Sequence, residues 1–85
     1  MSETREQILE ILAELAEIRD PARLNDDARL VQDLGLNSLM ELELLLHLEQ
    51  RLGIQVDERA AGAVRTVGEL VTHAEALVRN KRGSG

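Results

Sequence analysis

Three segments of the chain carry apolar residues at spacings of three and four, the period that places side chains on one face of an α-helix. In chain order they are Ile8, Ile11, Leu12, Leu15 and Ile18; the leucines of residues 39–52; and Val67, Leu70, Val71, Ala74, Leu77 and Val78. The sequence contains no Phe, Tyr or Trp, so it offers little material for strands. The pattern predicts an all-α domain with an aliphatic core.

Helix-breaking residues set the expected ends of the first two helices. We predict a first helix over about residues 5–19, with Pro21 beyond its end, and a second over about residues 38–52, with Gly53 at its C-terminus. The connection between them is about sixteen residues long, which is unusual in a small helical domain unless the loop packs its own apolar residues. We therefore expect this loop to be ordered, with Asn25-Asp26-Asp27 closing turns rather than binding a metal.

Two further helices complete the expected architecture, a four-helix bundle. Asp57 should cap a short third helix that reaches about Val64, and Gly62 should make it the least stable of the four. Thr66 and Glu69 match the capping box that begins a fourth helix. The chain of 85 residues then forms one domain over residues 1–80, followed by a disordered polar tail over residues 81–85.

The composition limits which kinds of partner the chain can bind and which cellular compartment suits it. Ten basic and sixteen acidic side chains give a formal charge of −6, which opposes binding to nucleic acid or to an anionic membrane surface. Without cysteine the chain can form no disulfide or zinc thiolate site. It also shows no secretion signal or membrane-spanning run. We expect a cytoplasmic monomer whose partners present basic surfaces.

Ser38 is the polar residue most open to a functional interpretation. With Glu41 it matches the S-x-x-E capping box at the start of the second helix. Free N–H groups and the positive end of the helix dipole also make this position favourable for a phosphate esterified to the serine hydroxyl. Two interpretations therefore stand side by side: Ser38 only caps its helix, or it is an attachment point.

The order and spacing of motifs around Ser38 resemble those of the acyl carrier proteins. The resemblance covers roughly residues 8–78 and depends on Leu34-Gly35-Leu36-Asn37-Ser38-Leu39, Glu41-Leu42-Glu43, Leu48-Glu49, Gly53-Ile54 and Thr66-Val67-Gly68-Glu69-Leu70. It implies that Ser38 carries a covalent 4′-phosphopantetheine arm, received from coenzyme A through a phosphopantetheinyl transferase. The family pattern has aspartate immediately before the serine, where this chain has Asn37.

The resemblance also implies how such a chain would work. A carrier holds acyl intermediates as thioesters for fatty-acid or polyketide-type biosynthesis and is not itself an enzyme, because acyl-loading and acyl-processing enzymes perform the chemistry. In the family the start of the second helix meets these partners through apolar and acidic side chains. The corresponding candidates here are Leu39, Glu41, Glu43, Leu46 and Glu49. The alternatives are a carrier for aminoacyl or other specialised acids, and an unmodified helical adaptor that docks partners through the second helix.

Apolar side chains surround much of the second helix, spanning about 220° of its circumference against the roughly 100° that covers one neighbour. Leu44, Leu45, Leu48 and Leu52 should face the core, whereas Leu39, Leu42 and Leu46 form a second stripe. Either the other helices cover this stripe or it is exposed for partners. We also expect an expandable acyl cavity beside the weak third helix. Its predicted lining is Leu42, Leu46, Ala61 and Val64.

The sequence gives little support to a metal site or a hydrolytic active site. His47 and His73 lie on different predicted helices without acidic or cysteine partners at metal-ligand spacing, so no metal site is expected. A triad of Ser38, His47 and an aspartate would need a strand-to-helix nucleophile elbow and a shielded pocket, which a small helical bundle does not provide. No catalytic residue is predicted.

Overall fold

The structure is a computed structural model that describes the backbone of residues 3–84 and the side chains of residues 3–81. It contains helices α1 (Glu3–Leu15), α2 (Ser38–Leu52), α3 (Glu58–Gly62) and α4 (Val67–Ser84), with a short 3₁₀ turn at Pro21–Leu24. The β-type pairing within residues 3–84 is confined to an isolated bridge between Arg29 and Thr66. The predicted all-α bundle of four helices is confirmed. Over the same residues, no helix is both long and apolar enough to cross a bilayer.

The core is aliphatic, as a chain without aromatic residues requires. Helix α1 packs against α2 and α4. The buried residues that these three helices contribute are Ile8, Ile11, Leu12, Leu44, Leu48, Val67, Leu70, Val71 and Ala74. Two ion pairs join separate elements at the surface: Arg5 of α1 contacts Asp26 at 2.7 Å, and Arg51 of α2 contacts Glu10 of α1 at 2.8 Å.

Helix α1 ends four residues earlier than predicted. Its last residue is Leu15, and Glu17 then adopts a left-handed conformation with φ of 53°. The N–H of Ile18 donates to the carbonyl of Ala13 at 2.9 Å, the long return bond of a Schellman-type ending. Ile18 is buried but lies beyond the helix. The apolar spacing therefore continues past the point where the backbone has already turned.

The loop between α1 and α2 is ordered and packs its own apolar residues, as predicted. Leu24, Leu30, Leu34 and Leu36 are buried, whereas Val31 is exposed. The Asn25 side chain accepts the N–H of Asp27 at 3.0 Å and donates to the carbonyl of Ala22 at 3.2 Å. These bonds are the side-chain turn closures expected of this segment.

Helix α3 is the shortest α-helix within residues 3–84 and contributes no buried residue to the core. The Asp57 side chain caps it by accepting the N–H of Arg59 at 3.0 Å, as predicted. The helix ends at Gly62, two residues before the expected end at Val64, because Ala63 and Val64 instead form tight bonds to Ala60 and Ala61.

Helix α4 is longer than the sequence suggested. The predicted capping box forms: the Glu69 N–H donates to the Thr66 hydroxyl at 3.2 Å, and the Thr66 N–H donates to the Glu69 carboxylate at 3.1 Å. The helix then continues to Ser84, four residues beyond the expected domain boundary at residue 80 and into the segment expected to be a polar tail. The Lys81 ammonium group lies against Gly53 at the C-terminal end of α2, where the helix dipole favours a positive charge. Gly85 lies outside the described residues.

Candidate functional site

The N-terminus of α2 is capped by Asn37 and not by Ser38. Asn37 has extended backbone angles, and its side-chain oxygen accepts the N–H of Met40 at 2.8 Å. Its backbone carbonyl accepts the N–H of Glu41 at 2.9 Å, the first bond of the helix. The predicted capping box of Ser38 and Glu41 is therefore wrong. Asn is as good an N-cap as Ser, and a cap at position 37 places Ser38 in the first turn.

Ser38 is exposed, and its hydroxyl makes no hydrogen bond to any group in the described part of the chain. The segment before it is held on both sides of Gly35, which adopts φ of 76°. Leu34 and Leu36 are buried, and the N–H of Leu36 donates to the carbonyl of Leu30 at 3.0 Å. An anchored loop therefore presents an unpaired hydroxyl at the start of a helix of 15 residues.

Asp33 closes the turn that leads into this segment. Its carboxylate accepts the backbone N–H of Arg29 at 2.7 Å, and the Arg29 guanidinium approaches the same oxygen at 3.4 Å. These contacts hold the pKa of Asp33 below its ordinary value, with the backbone hydrogen bond as the largest cause. The turn is therefore closed by a carboxylate that remains charged at neutral pH.

The loop is also bonded to the segment between α3 and α4. The N–H of Leu30 donates to the carbonyl of Arg65 at 2.9 Å, and the N–H of Val67 donates to the carbonyl of Ala28 at 3.0 Å. The Arg65 N–H donates in turn to the Glu69 carboxylate at 3.0 Å. This bond is the main reason that the pKa of Glu69 lies below its ordinary value. The capping box of α4 thereby helps to hold the loop that precedes Ser38.

A pocket of about 770 Å³ opens between the loop, α2 and α3, and Ser38 is part of its wall. Three residues of the predicted acyl cavity, Leu42, Ala61 and Val64, line this pocket. Leu46, the fourth, does not. Five further apolar residues line the pocket and were not predicted from the sequence. They are Leu30, Val31, Leu44, Leu45 and Leu70. Their helical or loop spacing marked them as core, and no sequence signal distinguishes a pocket wall from a core.

The second apolar stripe of α2 is exposed to solvent. Leu39, Leu42 and Leu46 are 65%, 54% and 56% exposed, so the other helices do not cover the stripe. Val31 in the preceding loop is 52% exposed and was not among the predicted partner residues. On the opposite side of α2, Leu44 and Leu48 are buried, and Leu45 and Leu52 are half-buried. The predicted division of the helix into a core face and a second stripe is therefore present.

The three acidic candidates on α2 have different surroundings. Glu41 is exposed, and its carboxylate has no partner within the described residues. Glu43 is half-buried. Glu49 is also half-buried and accepts the backbone N–H of Val56 at 3.0 Å, which ties α2 to the loop before α3. Glu49 thus has a structural contact, whereas neither Glu41 nor Glu43 has one within the described residues, and Glu41 is the more exposed of the two.

The described residues show no arrangement of side chains suited to metal binding or to hydrolysis. Among residues 3–84, no group of three or more histidine, cysteine or acidic side chains is arranged to hold a metal ion. Ser38 and His47 are nine positions apart on α2, which corresponds to roughly 13 Å along the helix axis. A serine and a histidine at that separation cannot form the hydrogen bond of a nucleophile and its base.

One comparison with known proteins identifies a family. A family model described as "Phosphopantetheine attachment site" matches residues 6–74, which is most of the chain. A search of curated proteins found no match. The matched segment includes Ser38, the loop before it and the greater part of α4.

Proposed function

Because the chain belongs to the phosphopantetheine attachment family, whose members are carriers and not enzymes, we propose that it is an acyl carrier protein with Ser38 as its attachment residue. Proteins of this family carry a covalent 4′-phosphopantetheine group on a serine. We further propose that the acyl groups belong to fatty-acid or polyketide-type biosynthesis. The observation that carries the proposal is the unpaired, exposed hydroxyl of Ser38 at the start of α2.

The surroundings of Ser38 fit this covalent group. Within residues 3–81 the hydroxyl makes no hydrogen bond that modification would break. The positive end of the α2 dipole favours the negative charge of a phosphodiester in the first turn. In the modification the serine oxygen loses its proton and bonds to the phosphorus of coenzyme A, while the bond to the 3′,5′-ADP leaving group breaks. When attached, the group supplies a terminal thiol that holds an acyl chain as a thioester.

Intact mass before and after modification tests the attachment. The protein is incubated with coenzyme A and a broadly tolerant phosphopantetheinyl transferase, alongside a Ser38→Ala variant. A gain of one phosphopantetheinyl group in the wild type alone supports the proposal. An unchanged wild type, or an equal gain in Ser38→Ala, refutes it.

The exposed stripe of α2 supports a docking role for the start of this helix. Leu39 and Leu46 offer apolar contact, and the exposed carboxylate of Glu41 lies on another side of the helix, in the wall of the Ser38 pocket. Exposed ion pairs contribute only about 0–1 kcal/mol each, which suits brief contacts with successive enzymes. Glu43 and Glu49 stand as weaker contributors because both are half-buried. The partners proposed for this surface are the transferase and acyl-handling enzymes with basic docking faces.

A substitution on the stripe tests this docking role. Leu46→Ser removes apolar contact area at an exposed position, so we expect kcat/KM of the transferase to fall while folding stability changes by no more than about 0.5 kcal/mol. The matched control is Gln50→Ser, one turn further along α2 and also exposed. Equal kcat/KM for the two variants would contradict the assignment of Leu46.

The pocket beside Ser38 supports a place for the acyl chain. Its wall contains Leu42, Ala61 and Val64, and the adjoining helix α3 contributes no residue to the core. An element with few buried contacts opens at low cost in free energy. We therefore propose that an attached acyl chain enters between α2 and α3.

Methyl chemical shifts can locate the chain. In a long-chain acylated form compared with the form that carries only the arm, we expect the resonances of Leu42, Ala61 and Val64 to move. Leu46 lies outside the pocket wall and should change less. If the three pocket residues keep the same shifts in both forms, the acyl chain does not enter there.

A further inference from the structure

The side-chain amide nitrogen of Asn37 takes no part in capping α2. The backbone N–H of Met40 can be accepted only by the side-chain oxygen, so the cap at 2.8 Å fixes which end of the amide faces the helix. The amide nitrogen therefore faces away from the Met40 N–H. Asn37 is exposed, and within residues 3–84 this nitrogen donates to no acceptor. The side chain thus holds the start of α2 and keeps two N–H donors available.

These donors belong to the residue immediately before Ser38. An arm attached to the Ser38 oxygen begins with a phosphodiester, which carries one negative charge and two non-bridging acceptor oxygens. Hydrogen bonds from neutral donors to an anion are stronger than those between neutral groups. The aspartate of the family pattern could cap the helix through one oxygen, but its other oxygen would repel the phosphodiester.

Resting on the proposed attachment at Ser38, we propose that Asn37 is a positioning residue that holds the base of the arm. Its side-chain oxygen caps α2 while its amide nitrogen donates to a phosphodiester oxygen. The first bonds of the arm are then ordered relative to α2, although the distal thiol remains free to move. An asparagine at position 37 thereby offers a hydrogen-bond donor where an aspartate would place a negative charge.

The side-chain amide of Asn37 reports directly on this contact. In ¹⁵N-labelled protein, we expect one Asn37 side-chain proton to shift downfield when the unmodified protein is converted to the modified form. Its exchange with solvent should slow at the same time. The Asn25 side chain, which is bonded to its own loop, is the internal control and should not change.

Two variants separate donation from capping. Asn37→Asp keeps a capping oxygen but lacks the N–H donor. Asn37→Gly lacks both the donor and any charge, and it lowers helix stability by only a few tenths of a kcal/mol. In both modified variants we expect the ³¹P resonance to show slower transverse relaxation than in the wild type, because the phosphodiester moves more freely. The melting temperature should also rise more on modification of the wild type than of either variant.

The possible results distinguish this inference from the attachment itself. Modification at Ser38 with an unchanged Asn37 amide and equal ³¹P relaxation in all three proteins would overturn the positioning role and leave the carrier function intact. A downfield Asn37 proton together with faster phosphorus motion in both variants would support it. Absence of modification in the wild type would overturn the proposed function, and the positioning role with it.

Discussion

Asn37 and Ser38 are adjacent residues of types that both favour helix N-caps, and the structure gives the cap to Asn37. This assignment changes the interpretation of Ser38. If Ser38 were the cap, its hydroxyl would be occupied and its presence would need no function. With Asn37 as the cap, the Ser38 hydroxyl contributes no hydrogen bond to the fold described here. Its exposure is therefore compatible with covalent modification at little cost to stability.

The two residues should differ in their effect on folding stability. Asn37→Ala removes the bond to the Met40 N–H and should lower the free energy of unfolding by about 1 kcal/mol. Ser38→Ala removes no hydrogen bond and should change it by less than about 0.5 kcal/mol. Urea unfolding followed by far-UV circular dichroism measures both, since the chain has no Trp or Tyr for fluorescence. The reverse order of effects would restore Ser38 as the cap.

Sequence reasoning at this scale predicted the first residue of α2 correctly and missed its N-cap by one residue. The start of α2 followed from Gly35, the polar pair and the leucines after it. The assignment of the cap could not be read from the sequence, because a side-chain oxygen at either position can accept an N–H three residues later. The extended backbone angles of Asn37 in the structure decide it.

The elements around the site are held by hydrogen bonds between segments far apart in sequence. The loop before Ser38 meets the start of α4 through Leu30, Arg65 and Val67, while Glu69 bonds the N–H groups of Arg65 and Thr66. The capping box was predictable from four consecutive residues. The pairing of Arg29 with Thr66 was not, because irregular backbone carries no periodic pattern. The left-handed Glu17 that ends α1 was equally invisible, since that conformation favours glycine.

Glu69 makes the stability of the contact between the loop before Ser38 and the start of α4 depend on pH. Its pKa in the folded protein lies below its ordinary value of 4.5, chiefly because of the Arg65 N–H. The unfolded chain therefore takes up this proton first as the pH falls. The stabilisation is fully present above pH 4.5 and is lost as the pH passes down through the folded-state pKa.

A titration of stability tests this contribution. The free energy of unfolding of the wild type is compared with that of Glu69→Gln at pH 7 and at several points below pH 4.5. We expect the wild type to be the more stable at pH 7 and the difference to shrink at acid pH. Glu75→Gln on the same helix is the control. A difference between wild type and Glu69→Gln that is constant with pH would contradict the role of the charged cap.

At the scale of the whole molecule, one end of the bundle combines the features that a carrier needs. The Ser38 hydroxyl, the pocket between α2 and α3 and the exposed Leu39 and Leu42 lie around the same helix start, and Leu46 continues the exposed stripe about one turn further along α2. The bundle and its apolar faces followed from periodicity. The pocket did not follow completely, because its wall mixes core leucines with loop residues, and Leu46 proved to lie outside it. The continuation of α4 past residue 80 was also missed, because residues 81–84 carry no apolar spacing that would indicate a helix.

Localisation of the modified residue after treatment with coenzyme A and a phosphopantetheinyl transferase tests the central claim most directly. The chain has three serines, Ser2, Ser38 and Ser84, so peptide mapping by tandem mass spectrometry can assign the group without ambiguity. We predict one phosphopantetheinyl group per chain, on Ser38 alone. A group found on Ser2 or Ser84, or a folded chain left unmodified by a transferase that modifies a control carrier in the same mixture, would contradict the account.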